Sequence, residues 1–217
     1  MNTEKSKAEN SKKSLRNKDF TGADLKKADL STGVLIEACL KNSDLCEADL
    51  CEADFSSANF EGAHMHRTLL YRSRGLNANF MNTILTQANL VEANLSSANF
   101  SHANLRESDI EGADLKNAQF INANLSDTNM TGVFLSNANL SGANFTNSDL
   151  IAADLSGSNL TDVNFENAYL NHADISGANL TNAKNLTQDQ IETTFLSQDT
   201  VLPIPIIWIS DTEYKFG

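Results

Sequence analysis

Residues 88–100 read Ala88-Asn89-Leu90-Val91-Glu92-Ala93-Asn94-Leu95-Ser96-Ser97-Ala98-Asn99-Phe100, the same five-residue phrase spoken almost three times without a break. Extended outward, the phrase keeps its phase over most of the 217 residues. Of the 33 positions met in steps of five from Phe20 to Leu180, 32 carry Leu, Phe, Ile or Met, and the exception is Gly75. Two residues before each such centre, from Ala23 to Ala178, Ala holds 21 of 32 positions, and the residue between is mostly Asp or Asn. Seven of the ten glycines (22, 62, 112, 132, 142, 157, 177) fall two residues after a centre, a slot they share with Asn117, Asn122 and Asn137.

A strict period of five fits neither an α-helix nor a long strand. Locally, Ala and Leu two apart point the same way, as in a very short strand. The next two residues are rich in Gly, Asn, Ser and Asp, which accept tight-turn backbone angles. A short strand and a turn repeated without interruption can only wind. One unit cannot bury its Leu alone, so successive windings must stack around a shared core. The result is a solenoid.

Four units per winding would place residues 20 apart on top of one another. Phe20, Phe60, Phe80, Phe100 and Phe120 then share an inner column, with Phe145 and Phe165 on the next. Outside, Lys27, Glu47 and Arg67 align, as do Glu52, Arg72 and Glu92, while Lys41 faces Glu61 and Asp54 faces Arg74. Like charges also align, as in Asp24 with Asp44.

The Ala-(Asp/Asn)-(Leu/Phe)-X-X phrase resembles the pentapeptide-repeat family over about three quarters of the chain. The resemblance implies an all-β fold, a right-handed quadrilateral β-helix of about eight coils over 18–184. At a strand spacing of about 4.8 Å the rod would be ~40 Å long. Its expected flanks are a disordered basic segment over 1–17 and a cap over 185–217. The cap reads as a short helix from about Gln188 to Leu196, with Thr187 and Gln190 as a capping box and Leu186 and Ile191 as a hydrophobic staple. An apolar tail follows. Ile191, Phe195, Ile204, Ile206 and Trp208 are the residues that would cover the last coil or meet a second copy in a homodimer through this end.

Composition excludes several roles. Sixteen basic residues against 28 acidic give a net charge of -12, which disfavours nucleic-acid or anionic-membrane binding. No apolar run approaches the ~20 residues that cross a bilayer, and Met1 to Lys18 lacks the apolar core of a signal peptide. A cytoplasmic protein is expected. Phosphate loops, nucleophile elbows and zinc-protease motifs are absent, and carboxylates on a convex rod lack the shielded pocket that shifts a pKa. No enzyme, metal or cofactor is expected. Cys46 and His66 would stack, with Cys51 nearby, short of the four ligands that zinc wants.

The segment His64 to Leu76 loosens the phrase, and within it Arg67, Tyr71, Arg72, Arg74 and Gly75 are the candidate recognition residues. The plainer reading is that the three arginines neutralise Glu47, Glu52 and Asp54 one coil below, and that Gly75 leaves a gap in the core. Val34, Leu69, Ile84, Phe134 and Tyr169 are apolar at normally polar outward positions. The best-characterised members of the family imitate duplex DNA and bind DNA gyrase or related type II topoisomerases. Residues 18–184 hold 21 acids and 10 bases, whereas ~40 Å of B-DNA carries about 24 charges, and the acids are expected to spread over all four faces. The function expected is therefore a non-catalytic scaffold for a protein partner. A topoisomerase-binding DNA mimic and a purely structural spacer are the alternatives.

Overall fold

The computed structural model describes residues 3–203, 206–208 and 214–216. From Asp19↔Cys39 to Asn164↔Lys184, every parallel bridge joins residues 20 apart, so four quintets make one coil. The bridging residue is the one just before each centre. Four sides follow, here named by their first centres: side 1 by Phe20, side 2 by Leu25, side 3 by Leu30 and side 4 by Leu35. Each side contributes a single bridge residue per coil, so the ladder is built from isolated bridges and not from runs of strand. Phe80 N–H donates to Asn99 O (2.7 Å), and Asn99 N–H donates back to Ala78 O (2.9 Å).

Each corner is made by three cooperating positions. The second residue after the centre takes the left-handed region, at φ 60° for His102 and 61° for Ser97, which explains the Gly and Asn bias there. The N–H of Ala103 then closes the turn on Phe100 O at 3.0 Å. Just before the centre, the Asp or Asn Oδ1 accepts the N–H two residues on, as Asp54 does from Ser56 (3.0 Å) and Asn99 from Ser101 (2.9 Å). These Asx turns give the second letter of the phrase a backbone duty beyond solubility. Where Ser or Thr follows the centre, its hydroxyl can join the same oxygen, as Ser56 Oγ does at 2.7 Å.

Inside, the centres from Leu25 to Phe165 are fully buried apart from 1 % at Leu115. Burying each is worth about 1.5–3 kcal/mol relative to exposure. Phe60, Phe80, Phe100 and Phe120 stack face to face with centroids 4.8, 4.7 and 4.8 Å apart, and Phe145 and Phe165 stack at 5.7 Å. Where Ser or Thr replaces the inner Ala, its hydroxyl mostly returns to the carbonyl three residues back, whereas Thr68 reaches Leu45 O at 2.9 Å and Ser73 Oγ has no partner among the described residues. Ser43 reaches Leu40 O and Thr83 reaches Phe80 O, both at 2.7 Å.

Both ends differ from expectation. In place of disorder, α1 (Thr3–Asn10) and a 3-10 turn (Lys12–Ser14) close the first coil. Composition pointed the other way because α1 buries little besides Ala8. Its polar side chains instead satisfy open backbone groups. Lys5 Nζ donates to Lys26 O (2.9 Å) and Lys27 O (3.0 Å), while Glu9 Oε1 accepts Asp29 N–H at 3.0 Å. Lys12 O takes the Val34 N–H at 2.7 Å. A Cβ on Gly33 would come within 3.2 Å of that carbonyl and 2.6 Å of Leu30 O, so the inner slot is Gly at this point.

At the other end α2 is Gln188–Glu192, shorter than expected, with the capping box of Thr187 and Gln190 in place. The chain leaves the helix because Phe195 must return to bridge Asp174, and Val201 then bridges Asn179. Gln190 serves two structures at once. Its Oε1 accepts Thr187 N–H (2.7 Å), and its Nε2 donates to Ala168 O (2.8 Å) and Phe165 O (3.1 Å). The side-chain amide thus replaces a missing strand above side 3. Beyond it, β1 (Ile206–Trp208) and β2 (Tyr214–Phe216) form an antiparallel pair. Among the described residues no helix is long and apolar enough to cross a membrane.

Candidate interaction surface

The loosened segment resolves into packing and ion pairs. Gly75 is buried, and the space of its missing side chain is taken by Phe55 from the coil below, whose ring a Cβ on Gly75 would strike. Phe55 lies edge-on to Phe60 (5.3 Å) and Phe80 (5.9 Å). The expected gap is therefore filled, and Gly75 offers no outer surface. Arg74 reaches Asp54 at 3.8 Å, as its column predicts. Arg72 turns upward to Glu92 (2.6 Å) instead of down to Glu52, and its guanidinium covers the Tyr71 ring at 4.9 Å. Arg67 bonds Gln87 (2.8 Å) because Glu47 is already held by Lys27 at 3.2 Å. Lys41 meets Glu61 at 3.0 Å.

The cysteine neighbourhood is chemically quiet. His66 Nδ1 pairs with Thr86 Oγ1 at 2.8 Å, and no metal-capable group occurs among the described residues. Burial pushes the Cys51 thiol up to about 11, with the Asp49 carboxylate adding to it. Cys46 is raised for the same first reason, helped by Asp44. Both thiols stay protonated near neutrality and are poor nucleophiles.

Of the cap residues singled out, Ile191 is fully buried in the monomer and has no area to give a partner. Phe195 is 60 % exposed at its bridge to Asp174. Ile206 and Trp208 lie on β1, and Ile204 is outside the described residues.

Sorted by side, the acids fall on all four sides as expected, but the bases do not follow them. Over 18–184, sides 3 and 4 carry twelve acids and three bases, while sides 1 and 2 carry nine acids and seven bases. Most of the rod's net charge thus falls on two adjacent sides. On side 2 the acids are largely answered, by Lys26–Asp44 (3.0 Å), Lys27–Glu47 and Arg106 with Asp127 (2.9 Å) and Glu107 (2.8 Å). Toward the C-terminal end of sides 3 and 4, Asp109, Glu111, Asp114, Asp149, Asp154 and Asp174 make no ion pair among the described residues. Two apolar rings stand among them, Phe134 (44 % exposed) and Tyr169 (60 % exposed). An acidic field around exposed rings has the composition of a docking surface for a basic protein, with the rings as anchors. The signal lay in the sequence, but it appears when acids are tallied by column and not along the chain.

Two family models match the chain. "Pentapeptide repeats" matches residues 34–70, 118–157 and 148–184 in eight copies, and "Pentapeptide repeat region" matches 53–130. Among solved structures, a trypsin-treated variant of QnrB1, a plasmid-mediated fluoroquinolone resistance protein, is 23 % identical with a TM-score of 0.70, covering 86 % of this chain and 85 % of that one. HetL, a pentapeptide-repeat protein involved in heterocyst differentiation regulation in the cyanobacterium Nostoc sp. strain PCC 7120, is 31 % identical over 86 % of both chains, with a TM-score of 0.43. A pentapeptide-repeat protein of the Arabidopsis thaliana thylakoid lumen is 28 % identical over 60 % of this chain and 69 % of its own, with a TM-score of 0.30. The likeness to QnrB1 is one of fold. Comparison with curated proteins returned no match.

Proposed function

The chain belongs to the pentapeptide-repeat family, and on that footing we propose that it is a non-catalytic scaffold that docks a partner protein against the acidic corner of sides 3 and 4. In this reading the repeats wind right-handed through about eight coils in a cytoplasmic setting. The carrying observation is the set of acids on sides 3 and 4 from Asp109 to Asp174 that make no ion pair among the described residues, around Phe134 and Tyr169. Rigidity favours the role, because a surface held in place by its own ladders has little entropy to lose on binding.

The test compares two neutralised variants in affinity capture from a soluble extract. Asp109→Asn, Asp149→Asn and Asp154→Asn alter sides 3 and 4; Asp19→Asn, Glu61→Gln and Asp162→Asn alter side 1. Asn keeps the Asx turns, so both sets should fold. A partner held by the wild type and the side 1 set, and lost with the other set, supports the proposal. Equal retention by both sets overturns it.

A second reading is a DNA-mimicking modulator of DNA gyrase or another type II topoisomerase. The concentration of charge on two adjacent sides favours it, since one acidic band is closer to a duplex than a charge spread all round. Gyrase supercoiling with and without quinolone is the check. No effect at micromolar protein removes this reading.

A further inference from the structure

The outward aromatic rings of the rod are treated unequally. Arg72 covers Tyr71 with a cation from the same chain, and Lys116 Nζ sits 5.1 Å from the Phe134 centroid. Phe195 has His172 beside it, with ring centroids 6.4 Å apart. Tyr169, as exposed as Phe195, has no such neighbour among the described residues. It lines an open groove of about 870 Å3 between α2 and the corner where side 2 meets side 3, shared with Asn147, Glu166 and Asn167 of side 2 and with Asn171, Asp189 and Thr193 among others. The groove exists because α2 replaces the next strand of side 3, so nothing is stacked over Tyr169.

The lining holds two carboxylates, Glu166 and Asp189, and no lysine, arginine or histidine. Neither carboxylate has an ion pair among the described residues. Asn147 and Asn167 each donate one amide N–H to the column below, to Asp127 Oδ1 and Asn147 Oδ1 respectively (both 3.1 Å). Asn147 Oδ1 is thereby taken, while Asn167 Oδ1 accepts no bond among the described residues and is open as an acceptor. A bare ring face, two free carboxylates and an open amide oxygen call for a flat cation that carries several N–H donors.

We propose that this groove is a receptor for an arginine side chain of the partner, with the guanidinium stacked on Tyr169 and bonded to Glu166 or Asp189. Guanidinium stacks on aromatic faces and bonds carboxylates in a fork, which an ammonium cannot do. The proposal rests on the reading of sides 3 and 4 as the docking surface and names a socket at its edge, where side 3 meets side 2 under α2, that a partner residue enters.

The probe is N-acetyl-arginine amide titrated into the full chain, followed by amide resonances in NMR. Saturable shifts are expected at 166–171 and 188–193, with weaker binding of N-acetyl-lysine amide. Tyr169→Ala, at an exposed ring, is expected to weaken binding about two- to fivefold, the range of an exposed cation–aromatic contact, and Tyr169→Phe to preserve it. Shifts spread equally over Asp109, Asp114 and Asp154 and indifferent to Tyr169→Ala overturn the socket, as does the absence of a saturable shift. The two ideas fail separately. The variant with Asp109, Asp149 and Asp154 neutralised should keep its groove shifts even if partner capture shows no dependence on sides 3 and 4.

Discussion

The ring of Phe55 occupies the place left by the missing side chain of Gly75, one coil above it, and turns edge-on to Phe60 and Phe80 in doing so. The irregular centre is a pair of complementary choices: a larger residue below and none above. Gly75→Leu alone should overpack the core and cost about 1–3 kcal/mol. Adding Phe55→Leu should recover much of that loss, since two leucines restore the common phrase. Urea unfolding of the two single variants and the double one gives the coupling. Additive losses would show that the two sites do not share space.

Phe100 stacks between Phe80 and Phe120, with centroids 4.7 and 4.8 Å away. Phe100→Asp places a carboxylate in a dry column with no partner and should abolish or severely reduce folding. Ser97→Asp, at an outward corner, should change stability by less than about 0.5 kcal/mol. Thermal melts of both decide the matter, and equal effects would invert the inside-outside assignment.

Gln190 joins the capping box of α2 to the carbonyls of Phe165 and Ala168. Gln190→Glu keeps an oxygen for Thr187 but removes the donor and turns an anion toward two carbonyls. A loss of about 1–3 kcal/mol is expected, the usual cost of unsatisfied polar groups. Because repeats depend on their neighbours, the loss should appear first at the end. Hydrogen exchange should accelerate over 165–180 and stay slow around 80–120. Uniform acceleration would contradict this.

Lys12 binds Asp29 Oδ1 at 2.8 Å, and that bond, with those from Ser31, lowers the Asp29 carboxyl from 3.8 to about 2. A depressed carboxyl contributes stability above its unfolded pKa and loses it as pH falls through the folded value. Docking of the N-terminal segment should therefore hold from neutrality to about pH 4, then weaken toward pH 2. Amide shifts of residues 5–15 report it, and Asp29→Asn should flatten the dependence. Release already at pH 6 would point to another group.

The parts legible in the sequence were those written in a repeating apolar code. Phe80 over Phe100, the 20-residue ladder and the Thr187–Gln190 box all follow from spacing and residue type. The N-terminal cap was hidden because Lys5, Glu9 and Lys12 act through hydrogen bonds to single backbone groups, which leave no apolar signature. The Phe55–Gly75 exchange was hidden because each residue looks ordinary or defective alone. The candidate surface was half visible: Phe134 and Tyr169 stood out, but their shared acidic setting depends on which column each charge enters. Arg67 and Arg72 were misassigned by direction, since a column offers a neighbour above as well as below.

The square coil also sets the grammar of change open to this chain. Gain or loss of twenty residues within the rod would leave every side facing the way it faces now. A five-residue insertion before Phe134 would rotate everything after it by a quarter revolution, parting the ring and the socket from the acids of the earlier coils. Lineages of such a protein should therefore vary in length by whole circuits, and a stray quintet should act as a hinge in evolution, re-aiming one half of the molecule at new partners while the core is untouched.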